Sequence, residues 1–163
     1  ELQIYGIGGS IMTTRIFCDS SFDEKRNICG IGIYIENGQH HHTINHSIPA
    51  TDNNIGEIWA IYIASILSFG QNAIIYTDSI TALAYINNQQ NEKKERTATQ
   101  ERLHRILKTY GQKIRVLHPT VQWTKGHRNH FQDLAIGNGI ADLLAKYGRA
   151  KYYQTHDIKG KQR

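Results

Sequence analysis

The spacing of apolar residues changes period part-way along the chain. Over residues 28–36 they alternate, with Ile31, Ile33 and Ile35 on one side and Gly30, Gly32 and Tyr34 on the other. A period of two predicts a strand. The preceding residues 15–20 form a short apolar run ending in an acid, read as another strand, and residues 21–27 form a polar turn. Asn37-Gly38 is a strong hairpin signal and leads to a third antiparallel strand over 41–48. After Pro49 the period becomes helical: Ile58, Ile61, Tyr62, Ser65, Ile66 and Phe69 recur on one face. Thr51 to Asn54 offer N-caps for that helix, and Gly70 closes it. Residues 73–77 predict a short buried strand, and Asp78-Ser79 cap a helix over 80–88. Residues 87–95 read as loop, and 97–110 as a third helix ended by Gly111. Residues 113–123 read as strand and 125–138 as polar loop, with a last helix over 140–147 stopped by Gly148. The predicted order β-β-β-α-β-α-α-β-α describes an α/β fold. Its mixed five-stranded sheet, three antiparallel strands and then parallel ones, is flanked by α-helices.

Composition narrows the picture. The chain has 163 residues, 39% of them hydrophobic, which suits one domain with an ordinary core. Residues 12–150 read as that domain. Residues 1–11 read as an appended or disordered N-terminal segment, because Met12 is the only methionine. Residues 151–163 read as a basic tail. A net charge of +5 suits an anionic partner such as nucleic acid, and equally a basic surface with no such role. Cys18 and Cys29 lack metal-finger spacing and read as buried free thiols of a reducing compartment. The apolar run over 58–69 is too short for a membrane span, and no secretory signal is visible, so a cytoplasmic location is expected.

The acids carry the chemistry. Asp19 ends the first predicted strand, Glu57 lies in the first turn of the first helix, Asp78 ends the fourth strand and Asp142 lies near the start of the last helix. In a mixed sheet these ends can converge on one edge. Ordinary packing has no reason to gather carboxylates, whose charges raise one another's pKa. A hard divalent cation with oxygen ligands removes the conflict, and a pair of them suits phosphodiester hydrolysis. Taken singly, Asp78 could be only a helix cap, Glu57 a residue favouring the helix dipole, and Asp142 a surface acid.

Six stretches in this order resemble the type 1 ribonuclease H family. They are IFCDSS (16–21), GIGIYI (30–35), TDNNIGE (51–57), YTDS (76–79), WTKGH (123–127) and NGIADLLA (138–145). The resemblance implies the ribonuclease H-like fold. It also implies an endonuclease that cuts the RNA strand of RNA/DNA hybrids and leaves 5′-phosphate ends, using two Mg²⁺ ions with Mn²⁺ as a substitute. It assigns Asp19, Glu57, Asp78 and Asp142 as metal ligands. Asp19 would bridge the two ions, Asp142 would complete the water-activating side, and Glu57 and Asp78 the leaving-group side. His127 matches a mobile histidine that assists proton transfer or product release, and His130 could share that role. Asn53 and Asn54 match a pair that reads the hybrid's minor groove, which suits an amide's donor and acceptor, although both could also serve as a turn and cap. Ser20, Thr51, Ser79 and Lys125 are further expected substrate contacts, and Asn138 matches a position without an assigned role.

The chain also departs from the family pattern. Ser20 stands where the family usually has glycine. The stretch from Asp78 to Leu103 is short and lacks a basic handle helix, as in handle-less members such as reverse-transcriptase ribonuclease H domains. Binding charge would then come from Lys125, Arg128, residues 93–96 and the C-terminal Lys159, Lys161 and Arg163, each of which could equally be solvated surface. His40, His41, His42 and His46 read as surface residues, and Trp59 and Trp123 as core. A related nuclease or strand-transfer enzyme, or a catalytically silent hybrid-binding module, are the alternatives. Ser21, where a proofreading exonuclease would have an acid, counts against the first, and the presence of all four acids against the second. No membrane or obligate protein partner is expected, and the chain is expected to be a monomer.

Overall fold

The computed structural model describes residues 12–92, 95–125 and 132–160; His127, His130, Arg128, Lys93, Lys94, Lys161 and Arg163 lie outside that range. Five strands form one sheet: β1 (Thr14–Asp23), β2 (Ile28–Asn37), β3 (His40–Pro49), β4 (Ala73–Thr77) and β5 (Thr120–Trp123). Their order in space is β3-β2-β1-β4-β5. The first three strands are antiparallel, whereas β4 runs parallel to β1 and β5 parallel to β4. Four helices cover the sheet: α1 (Asn53–Leu67), α2 (Ile80–Ile86), α3 (Ala98–Leu117) and α4 (Gln132–Gly160). No described helix is long and apolar enough to cross a membrane.

Strand alternation splits the core in two. Ile16 and Cys18 of β1, with Ile31 and Ile33 of β2, pack against Ile58, Ile61 and Ala64 of α1 and against Leu107 and Ile114 of α3. On the opposite face Phe17, Tyr34 and Tyr76 pack against Ala141 of α4. Full burial of each large aliphatic side chain on the first face contributes about 1.5–3 kcal/mol. Cys18 and Cys29 are free and buried, as expected.

Helix α4 lies unusually close to the sheet, and glycines make this possible. A Cβ at Gly32 would sit 1.9 Å from the Ala141 carbonyl oxygen, and one at Gly30 equally close to that of Ala145. The β2 face that alternation left without side chains is therefore the seat of α4.

Several expected boundaries move. β1 continues to Asp23, so Asp19 is inside the strand. α3 runs through Gly111 and ends at His118, whose φ of 51° is left-handed. Gly111 is a contact point, since a Cβ there would lie 2.6 Å from the Tyr85 carbonyl oxygen. The strand expected over 113–123 is correspondingly helical in its first half. α4 starts at Gln132, within the expected loop, and passes Gly148, which abuts the backbone of His46. The segment from 151, read as a tail, continues this helix through Gly160. The helix is tied back to β1 around residues 149–153, where the Tyr153 hydroxyl donates to Asp23 and Arg149 donates to the Phe22 carbonyl at 2.9 Å. Trp59 is partly buried against the core, but Trp123 is 49% exposed because it lies on the edge strand β5. His40, His41, His42 and His46 are exposed, as expected.

Candidate active site

Pairing of β1 with β4 brings the first two acids level. Phe17 lies beside Tyr76, so two residues further on Asp19 comes abreast of Asp78, just past the end of β4. Glu57 arrives from α1. The Asp52 side chain accepts from the Asn54 backbone N–H at 2.8 Å and fixes where that helix begins, which sets Glu57 at the start of its second turn. One carboxylate oxygen from each of Asp19, Glu57 and Asp78 lies within 4.8 Å of the others.

The cluster is electrostatically loaded. The Asp19 carboxyl is pushed up to about 7 by burial and then by the charge of Asp78, while the Ser20 backbone N–H at 2.7 Å opposes the rise. Glu57, 5% exposed, is pushed up to about 8 by burial and then by Asp19. Its Oε2 is buried without a hydrogen-bond partner. Among the described residues the trio accepts from Ser20 and Asn53 but from no lysine or arginine. A buried oxygen without a donor, inside a group of hard anionic ligands, fits a divalent cation.

Asp142 approaches from the other layer. It lies in the third turn of α4, deeper in the helix than expected, with a side chain 15% exposed. Its charge contributes to the rise at Asp19. Its Oδ2 is held by Lys146 Nζ at 2.7 Å, one helical turn on. Sequence reasoning passed over Lys146, although Asp and Lys four apart on a helix are a recognisable pair.

The expected substrate contacts divide by position. Asn53 is exposed beside the cluster, Thr51 is exposed just before α1, and the Asn54 side chain donates to Asp52. Ser79 caps α2, its Oγ accepting from the Ala82 backbone N–H at 3.1 Å. Lys125 is exposed just after β5. Ser20 is buried, and its Oγ lies 2.6 Å from Glu57 Oε1 and 2.9 Å from Asn53 Oδ1. Arg96 is engaged by Glu92 and Glu101. Asn138, on α4 one turn before Asp142, is 1% exposed with an unpartnered Oδ1. The exposed Trp123 donates its indole N–H to the Asp78 carbonyl at 3.2 Å, and so steadies the end of β4.

A family model described as RNase H matches residues 12–150. The chain belongs to the RNase H family. Solved structures give the same fold at low identity. RNase H1 from the halophilic archaeon Halobacterium salinarum is 14% identical, with a TM-score of 0.64, over 85% of this chain and 98% of that one. LC11-RNase H1, isolated from compost, is 20% identical, with a TM-score of 0.62, over 86% and 97%. The prototype foamy virus protease-reverse transcriptase is 21% identical, with a TM-score of 0.59, over 84% of this chain but only 21% of that protein. A search of curated protein sequences finds no match. This RNase H chain thus shares its mixed sheet with stand-alone enzymes and with a domain of a much longer protein.

Proposed function

We propose that the chain hydrolyses the RNA strand of RNA/DNA hybrids with two Mg²⁺ ions, for which Mn²⁺ can substitute. The observation that carries this reading is the close trio Asp19, Glu57 and Asp78, the first two of them buried, in a chain of the RNase H family. Asp19, Glu57, Asp78 and Asp142 would hold the ions. Bound there, divalent cations supply an activated water and neutralise charge at the scissile phosphate. The chain's own residues do the rest. Asn53 and Asn54 present amides that can bond base edges and the 2′-hydroxyls of a wide minor groove. Exposed Thr51 and Lys125 are the proposed contacts to the phosphate backbone. Ser79 holds α2 in place beside Asp78. His127 is the proposed group for proton transfer or product release.

End-labelled RNA/DNA hybrid, duplex RNA, duplex DNA and single-stranded RNA test the reading, each with Mg²⁺, Mn²⁺ or chelator and beside Asp19→Asn. Cutting of only the RNA of the hybrid, dependent on metal and lost in the variant, is the expected result. Tight hybrid binding without cutting would replace the reading with a silent binding module, and cutting of duplex DNA would replace it with a related nuclease.

A further inference from the structure

The Ser20 side chain reaches both parts of the proposed machinery. Strand alternation turns it away from the Asp19 side of the sheet and toward α1. There it is 8% exposed, with Oγ at 2.6 Å from Glu57 Oε1, 2.9 Å from Asn53 Oδ1 and 3.3 Å from the Asn53 carbonyl oxygen. Asn53 Nδ2 in turn donates to the same Glu57 oxygen at 3.3 Å. Three side chains from β1 and the first turns of α1 therefore close a small hydrogen-bonded ring.

The helix is fitted to this arrangement. Gly56 faces Ser20 where α1 crosses β1, and a Cβ there would lie 2.8 Å from Ser20 Cβ and 2.2 Å from Cys29 Sγ. A side chain at 20 is thus accommodated by the lack of one at 56.

We infer that Ser20 is a positioning residue that links the metal carboxylate Glu57 to the substrate-facing Asn53, so that metal binding and hybrid binding reinforce each other through it. A hydroxyl has one proton, and three acceptors face it here. A short O–H to carboxylate bond is the strongest of the three contacts and fixes the rotamer of Glu57. Asn53 donates its Nδ2 to that same carboxylate oxygen at 3.3 Å, with Oδ1 seated against the Ser20 hydroxyl, and takes its orientation from them. Whatever orders Glu57 then orders Asn53, and the coupling is reciprocal. The inference rests on the proposed roles of Glu57 and Asn53.

The test is calorimetric titration of Mn²⁺ into wild type, Ser20→Ala, Ser20→Gly and Asp19→Asn without nucleic acid. Hybrid affinity is then measured with and without Ca²⁺ in wild type, Ser20→Ala, Asn53→Ala and the double variant. Loss of the hydroxyl is expected to weaken Mn²⁺ binding roughly five- to tenfold, about the effect of one hydrogen bond. The Ca²⁺-induced gain in hybrid affinity should shrink by a similar factor, and Asn53→Ala should cost less in the Ser20→Ala background than in wild type. Unchanged Mn²⁺ binding in both Ser20 variants, with wild type binding and Asp19→Asn not, would overturn the inference and leave the metal site standing. Weaker hybrid binding with unchanged metal binding would make Ser20 a direct substrate contact, which also overturns it. Equal Mn²⁺ binding by wild type and Asp19→Asn would remove the metal site itself.

Discussion

Replacing Asp19 with Asn should stabilise the metal-free protein while removing its activity. Asp19 is raised from 3.8 to about 7, chiefly by burial and then by Asp78. The sign follows from linkage. A carboxyl raised in the folded state contributes stability that is fully present below its unfolded pKa, near 4, and is lost as pH rises through about 7. At roughly 1.4 kcal/mol per pH unit, the folded state carries about 4 kcal/mol of strain from this charge at pH 8. Part of that is repulsion shared with Asp78 and Asp142, so about half, ~2 kcal/mol, is the gain expected from removing the Asp19 charge alone. Asn removes the charge and keeps an oxygen for the Ser20 N–H. For a domain of this size ~2 kcal/mol is a rise in Tm of about 5 °C. Calorimetry in chelator at pH 5 and pH 8 measures it, and the gap should widen with pH. Excess Mg²⁺ should raise the Tm of wild type but not that of the variant, whose cleavage rate should fall at least about a thousand-fold. A variant no more stable than wild type at pH 8, or equally stabilised at both pH values, would refute the account of a charge-loaded site.

Other perturbations probe the frame around the site. Gly32→Ala should cost roughly 3 kcal/mol or more in urea unfolding, because its Cβ meets the backbone of α4 and not a flexible side chain. Gly111→Ala should also lose stability against Tyr85, although alanine normally gains up to ~1 kcal/mol inside a helix. His118→Gly should gain about 0.5–1 kcal/mol in the same assay by relieving a left-handed φ. Metal-free wild type should lose Tm from pH 5 to pH 8, since Glu57 is pushed up to about 8 and follows the same sign as Asp19; a flat profile would count against both.

The sheet was legible because period-two alternation and Asn-Gly turns are local signals, and β2 reads from sequence as it stands in the fold. Helix ends were less so. Gly111 and Gly148 carry the mark of a helix stop, yet both lie within helices and are glycine because another backbone presses on them. That pressure exists only in three dimensions. The same divide runs through the site. Asp19 closes the apolar run of β1, although the strand continues beyond it, and Glu57 and Asp78 stand near element ends, where a reader looks for chemistry. Ser20 and Lys146 do not: the Ser20–Glu57 bond joins positions 37 apart and depends on how α1 crosses β1. Trp123 was misjudged because four residues of β5 do not reveal that the strand is an edge.

The carboxylates come from β1, α1, the end of β4 and α4, the last of these on the opposite side of the sheet from α1. Such a site cannot exist in a half-made molecule. While residues 132–160 are still being synthesised or unpacked, Asp142 is absent from the cluster and the seat on Gly30 and Gly32 is empty. On the proposed function, chemical competence would thereby be tied to the packing of α4 on the sheet, and a copy lacking that helix would leave the nucleic acids around it uncut.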